Sequence, residues 1–134
     1  MRRVIPTILA ATGLLVTLDI VGALAERPLG FPYPPLSVVS FLVYLSVGVL
    51  GAWRGAFVTG VAAAAVVGFL DATVGPLLAW LIGPGPLGQS PTEPGIFAYS
   101  IAVTTAIAAA AGVLGAGVAS WLERRRGIRG VVPR

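Results

Sequence analysis

Residues 96–126 read IFAYSIAVTTAIAAAAGVLGAGVASWLERRR, and no charged residue interrupts this stretch before Glu123. About 20 apolar residues are enough for a helix to cross the hydrocarbon core of a bilayer. Trp121 and the arginines at 124, 125 and 126 follow at the end of the run, and this pairing is typical of the cytoplasmic boundary of a membrane span. The stretch therefore predicts a membrane-spanning helix whose C-terminal end lies in the cytoplasm.

Composition extends this interpretation to the whole chain. Of its 134 residues, 57% are hydrophobic and only 10% are charged, whereas about a quarter of the residues are charged in soluble domains. The length allows one domain, so residues 1–134 are predicted to form a single integral membrane domain in contact with lipid. The net charge of +4 comes from arginines at the ends of apolar runs, which argues against a nucleic-acid partner.

Four apolar runs predict an all-α bundle that crosses the membrane at about residues 4–25, 36–52, 55–75 and 96–122. The third run continues to residue 82 and would be about 42 Å long as one helix, against a hydrocarbon core of about 30 Å. Pro76 has no N–H to donate to the carbonyl of Ala72, so a break is expected near Gly75-Pro76. Residues 77–82 would then lie at the membrane interface.

Arginine placement predicts the orientation of the bundle. Basic residues lie at Arg2, Arg3, Arg54 and the 124–126 tract, whereas the proline-rich connector 26–35 and the loop 83–95 hold only Arg27. This bias predicts a multi-pass protein of the inner (cytoplasmic) cell membrane with both termini in the cytoplasm. Residues 1–25 also fit a cleavable signal peptide, because a basic start and an apolar stretch precede Ala23-Leu24-Ala25; this alternative stays open.

Missing residue types exclude several kinds of chemistry. The chain has no Cys and no His, and Lys and Asn are absent as well. Disulfides, thiol redox chemistry, His-ligated haem and the usual zinc sites are thereby excluded, as is Schiff-base chemistry on lysine. We expect no cofactor, no metal site and no catalytic residue, and hence a protein that is not an enzyme.

Asp19 and Asp71 are the only ionisable residues deep inside the apolar runs. A charged carboxylate at the centre of a membrane helix costs about 2.5–3.5 kcal/mol on insertion scales. Counted from the cytoplasmic ends of their spans, the two residues lie about 22 and 24 Å into the membrane, at the same level. If they face each other, they form a site for a proton or a small cation.

Three further residues are candidates for the same site. Arg27 is the only basic residue on the outer side and is long enough to bend towards either aspartate, while Tyr44 and Thr104 enter the membrane at a comparable depth. A structural interpretation competes with this one. In it, Asp19 reaches water at the outer edge, and Asp71 is a neutral acid beside the Pro76 break.

Small residues recur at every fourth position on the fourth span, and we call this series the small-residue ladder: Ser100, Thr104, Ala108, Gly112, Ala116 and Ser120. The third span carries a matching series, Gly60, Ala64 and Gly68. Such spacing lets helix backbones approach closely, so the two series predict helix contacts. Some of these contacts are expected to lie between chains, with packing entirely within one chain as the alternative.

The sequence leaves two functions in consideration. The first is a non-enzymatic membrane protein that acts through helix packing, as a homo-oligomer or as a small subunit of a membrane complex. The second is a proton- or cation-coupled small transporter or channel that uses Asp71 and Asp19. The basic tract at Arg124, Arg125 and Arg126 is also a candidate site for anionic lipid, although topology alone accounts for it.

Overall fold

The computed structural model describes the backbone of residues 4–29, 34–82 and 94–129, and the side chains of residues 4–22, 37–78 and 94–125. In this part of the chain there are four helices: α1 Ile5–Leu29, α2 Pro34–Arg54, α3 Phe57–Ile82 and α4 Pro94–Arg129. Each helix contains a segment of 18 residues or more that is apolar enough to cross a bilayer. The predicted all-α fold with four helices of spanning length is confirmed, and it indicates a multi-pass membrane protein.

Local sequence explains where the helices begin. The carbonyl of Val4 accepts hydrogen bonds from the N–H groups of Thr7 and Ile8, at 3.0 and 3.1 Å, and starts α1. Proline is tolerated in a first turn because the N–H that it lacks has no helical partner there. Pro6 in α1 and the two prolines that open α2 occupy such positions.

The link between α2 and α3 is only two residues long, because the start of α3 is capped. The Ala56 carbonyl accepts the Gly60 N–H at 3.1 Å, and the Ala56 N–H donates to Thr59 Oγ1 at 3.3 Å. This reciprocal pattern satisfies backbone groups that a helix start leaves without partners. It holds α2 and α3 together as a tight antiparallel hairpin.

The helices extend beyond the predicted membrane spans, whose own bounds stay a prediction. α1 continues to Leu29 and α2 begins at Pro34, so most of the predicted connector 26–35 is helical, and α4 runs on from residue 122 to Arg129. The predicted spans ended where the apolar residues end. A helix is limited instead by its own backbone hydrogen bonds, which polar residues outside the hydrocarbon core also sustain.

The expected break in the third span is not observed. α3 is one helix of 26 residues with Pro76 inside it, and residues 77–82 are its last turns rather than a separate interfacial segment. Proline removes one helical hydrogen bond, and membrane helices tolerate this loss because neighbouring helices and hydroxyl side chains satisfy the freed groups. The part of the third run that exceeds the thickness of the hydrocarbon core therefore continues as the same helix.

Close backbone contacts join α2, α3 and α4. A Cβ atom added to Gly48 would lie 2.7 Å from the carbonyl oxygen of Gly112, and one added to Gly51 would lie 2.7 Å from the Cα of Gly60. A Cβ added to Gly112 would lie 2.7 Å from that of Ala64. These positions leave no room for a side chain, which is how small residues bring membrane helices together.

The register of these contacts shows how the helices run. Gly60 lies near Ala116, whereas Gly68, two turns further along α3, lies against Ala108. α3 and α4 are therefore antiparallel, and α4 ends beside the start of α3. At the same end of the bundle, Arg54 donates a hydrogen bond to Thr7 Oγ1. The first turns of α1 and the last turns of α4 thus share one end, and the assignment of that end to the cytoplasm stays a prediction.

The bundle has a thin interior of small residues and a large apolar exterior. Ala64, Val67, Ala108 and Ala111 are fully buried, and Leu15 and Val67 are the largest of the fully buried side chains. Many larger apolar residues face outwards, among them Leu9, which is 66% exposed. A soluble monomer rarely exposes so much contiguous apolar surface, so lipid is expected to cover it.

Alanine substitution at two glycines on one helix tests the close contact. A Cβ at Gly115 would collide with the Leu45 carbonyl oxygen and lie 2.9 Å from the Val49 nitrogen, whereas a Cβ at Gly117 has no atom within 4 Å. We expect Gly115→Ala to lower the free energy of unfolding by about 1–3 kcal/mol, because the backbones must separate. Gly117→Ala should cause no loss. Unfolding in detergent followed by circular dichroism measures both, and equal stability of the two variants would contradict the packing.

Candidate functional site

Polar side chains from three helices meet inside the bundle. Asp19 of α1, Tyr44 of α2 and Asp71 of α3 form what we call the acidic cluster. The Tyr44 hydroxyl donates a hydrogen bond to Asp71 Oδ2, and Tyr44 is only 3% exposed. The Asp19 carboxyl lies against Gly75 of α3, four residues after Asp71. The two carboxyl groups therefore lie within about one turn of each other along α3.

Gly75 makes room for Asp19 in this site. A Cβ at Gly75 would collide with Asp19 Oδ2 and lie 3.2 Å from Asp19 Cγ. Gly75 is buried and follows Asp71 by four residues, so the two lie on the same face of α3, one turn apart. The Asp19 carboxyl thus packs against the backbone of α3 one turn from Asp71.

Pro76 adds to the polarity of this turn. Because proline has no N–H, the carbonyl of Ala72 lacks the hydrogen-bond donor that it would have in an uninterrupted helix. Ala72 is 5% exposed and is the next residue after Asp71. The carboxyl groups and this carbonyl place several oxygen acceptors within one turn of α3.

The acceptors outnumber the donors in the cluster. Asp71 Oδ1 is buried and has no hydrogen-bond partner in the part of the chain that the structure describes. The predicted counter-ion, Arg27, has its side chain outside the described residues, so its pairing with either aspartate stays a prediction. A buried polar atom without a partner is costly, which makes Oδ1 a point at which a proton or a cation would be stabilised.

Thr104 lies apart from the acidic cluster. Its backbone carbonyl faces Gly68 at the contact between α3 and α4, and among the described residues no hydrogen bond joins its side chain to an aspartate. The neighbouring Thr105 has a buried hydroxyl without a partner, as does Thr12 of α1. Sequence reasoning chose Thr104 for its depth in the membrane, and depth alone does not tell which neighbouring helix a side chain faces.

The residues predicted for helix packing lie on contact faces within this one chain: Gly60, Ala64 and Gly68 on α3, and Ala108, Gly112 and Ala116 on α4. At the end of α4, Arg124 and Arg125 are exposed, and the Arg125 guanidinium lies 3.9 Å from the centre of the Trp121 ring. The side chain of Arg126 is outside the described residues. Contacts between copies of the chain stay a prediction.

No protein-family model, curated protein or solved structure matches this chain. What the acidic cluster can do must therefore be inferred from its own chemistry. Two adjacent carboxyl groups resist double ionisation, so the pair readily retains one proton. Among the described residues no three acidic side chains converge, whereas a calcium ion takes about six to eight oxygen ligands. A proton or a singly charged cation suits the site better than a divalent ion.

A double-mutant cycle on Tyr44 and Asp71 measures the contact at the centre of the cluster. Tyr44→Phe removes the only donor to Asp71 seen among the described residues, and Asp71→Leu removes the acceptor. We expect each single change to destabilise the protein and the pair to show a coupling energy of about 0.6–1.7 kcal/mol, as for hydrogen bonds between membrane helices. Unfolding in detergent provides the energies.

Tyr99→Phe is the matched control for this cycle. Tyr99 lies on α4 and is 71% exposed, so its cycle with Asp71→Leu should show no coupling. Strictly additive effects of Tyr44→Phe and Asp71→Leu would mean that the two side chains do not interact in the membrane.

Proposed function

We propose that this chain is a small membrane transporter or channel in which the acidic cluster binds and releases a proton or a singly charged cation. The observation that supports this proposal is the meeting of Asp19, Tyr44 and Asp71 from three different helices. Acids placed within membrane helices are costly, and those that are retained usually mark ion or proton pathways. A purely structural role would not require two of them at one level.

A proton-transfer step between the two aspartates is part of this proposal. Tyr44 donates to Oδ2 of Asp71, and Oδ1 has no partner among the described residues, so Oδ1 is the atom that we propose accepts a proton from the Asp19 carboxyl. Asp71 becomes the neutral acid in this step and Asp19 the carboxylate, so the total charge of the pair does not change. Transfer in the reverse direction returns the proton to Asp19.

α1 is the helix best placed to move during such a cycle. Within the described residues it packs against α2 and α3 and has no contact with α4, whereas α2, α3 and α4 all pack against one another. Asp19 is half-buried and lies against Gly75, and among the described residues no hydrogen bond to its carboxyl is seen. In this proposal a small displacement of α1 separates the two carboxyl groups.

Assembly through helix packing is the second candidate function, either as a homo-oligomer or as a small subunit of a membrane complex. The ladder that first suggested it is largely occupied by contacts inside the chain. The observation in its favour is that Gly13 and Gly117 have no atom within 4 Å of an added Cβ. Two outward-facing glycines offer places where another helix can approach closely. Neither proposal includes a catalytic step.

For location, we propose the inner cell membrane with both termini in the cytoplasm. The support is the positive charge at the end of the bundle that holds Arg54, Arg124 and Arg125. Anionic lipid at Arg124, Arg125 and Arg126 is part of the same proposal, at about 1 kcal/mol for each arginine near a charged leaflet.

Proton flux into liposomes tests the transport proposal. Purified protein is reconstituted with a pH-sensitive dye inside the vesicles, and a pH gradient is applied in the presence and absence of sodium and potassium gradients. We expect flux well above that of empty vesicles, and at least a tenfold reduction with Asp71→Asn or Asp19→Asn, because an amide does not exchange a proton. Glu123→Gln is the matched control, since Glu123 is exposed at the end of α4 and should not affect flux.

Each variant is first shown to be helical and monodisperse, so that loss of flux is not loss of folding. Unchanged flux in Asp71→Asn would contradict the transport proposal. Assembly would be favoured instead if the native protein shows no flux under any gradient and native mass spectrometry gives a defined multiple of the chain mass.

A further inference from the structure

An open groove runs along the outside of the bundle between α1 and α2. Its volume is about 550 Å³, and its walls are almost entirely apolar. Representative lining residues are Ala10 and Leu14 of α1, and Val39, Val43 and Leu50 of α2. Within the described residues no side chain fills this groove.

One end of the groove carries a fixed positive charge. Arg54 is the last residue of α2, and its guanidinium crosses to α1 to donate a hydrogen bond to Thr7 Oγ1. Both Arg54 and Thr7 line the groove. The Arg54 side chain is exposed, and none of the carboxyl groups in the described residues forms an ion pair with it. The guanidinium therefore retains donors for an anion at the mouth of the groove.

The dimensions of the groove match a lipid tail. The lining residues of α2 extend from Val39 to Arg54, a rise of about 22 Å at about 1.5 Å per residue. Half of the hydrocarbon core is about 15 Å thick. The apolar walls thus reach from the level of Arg54 past the middle of the membrane, so they are long enough to cover the whole acyl chain of a lipid in one leaflet.

We infer that this groove is a binding site for an anionic phospholipid of the leaflet on the Arg54 side. One acyl chain lies between α1 and α2, and the phosphate accepts hydrogen bonds from the Arg54 guanidinium. Arginine suits this role because its planar group bonds two phosphate oxygens at once. The single charge at one end and the long apolar walls complement an amphiphile with one anionic head. The site is separate from the basic tract on α4 and does not depend on the acidic cluster.

Spin-labelled lipids test the site directly. The full chain is reconstituted in phosphatidylcholine bilayers with a trace of nitroxide-labelled phosphatidylglycerol or, in parallel, nitroxide-labelled phosphatidylcholine. Electron paramagnetic resonance then measures the motionally restricted fraction of each. We expect phosphatidylglycerol to be preferred, and Arg54→Gln to lower this preference about fivefold, the factor expected for one arginine near an anionic head. Arg54→Lys should lower it less.

Two further variants separate this groove from other lipid contacts. Ala10→Trp places a bulky side chain on an exposed lining position of the groove, and it should lower the restricted fraction of both lipids while Arg54 stays in place. Arg125→Gln is the comparison variant, because Arg125 lies on Trp121 at the end of α4 and belongs to the tract proposed above for anionic lipid. It should leave unchanged the part of the preference that depends on Ala10 and Arg54.

Three results would overturn the assignment. They are equal binding of the two lipids by the native chain, a preference that Arg54→Gln leaves unchanged, and a preference that Arg125→Gln removes while Arg54→Gln does not. The last result would place the lipid on the α4 tract. If Arg54→Gln fails to fold, Ala10→Trp and Arg54→Lys still test the assignment. A motionally restricted lipid fraction that Ala10→Trp leaves unchanged would exclude the groove.

Discussion

Contact between helix backbones at glycine is the constraint on which the rest of this structure depends. In lipid, water exclusion does not drive helices together, so association relies on close packing and on hydrogen bonds. Gly48 and Gly112 bring α2 and α4 into backbone contact, and Gly115 does the same one turn further along. This contact fixes the rotation of α2 and α3, and the rotation in turn directs Tyr44 towards Asp71. The acidic cluster thus depends on the glycine positions, at which the absence of a side chain lets the helix backbones come close.

α1 packs differently from the other three helices of the bundle. It lies on α2 and α3 without reaching α4, and it carries Asp19 into the cluster through the space that Gly75 leaves open. Its other side forms the groove that ends at Arg54. One helix therefore takes part in both sites that we propose, the acidic cluster and the lipid groove.

Much of this arrangement can be predicted from the sequence, and the features that could not be predicted have identifiable physical reasons. Apolar length predicts four helices, and counting residues places Asp19 and Asp71 at one level, since helical rise is nearly constant. Counting does not provide the rotation of each helix, so the closeness of the two aspartates and the role of Gly75 appear only in three dimensions. The break expected at Pro76 is not observed, because a membrane helix can lose one hydrogen bond there and continue.

The central claim is that the two carboxyl groups meet between α1 and α3, and the chain offers a direct way to measure it. Asp19 and Asp71 are its only aspartates, so labelling with aspartate enriched in ¹³C at Cγ marks these two sites alone. Solid-state NMR of labelled protein in bilayers, diluted with unlabelled protein to suppress contacts between chains, should show a dipolar cross-peak between the two Cγ signals, and Asp19→Asn should remove it. Two carboxyl signals without a cross-peak at long mixing times would contradict the account.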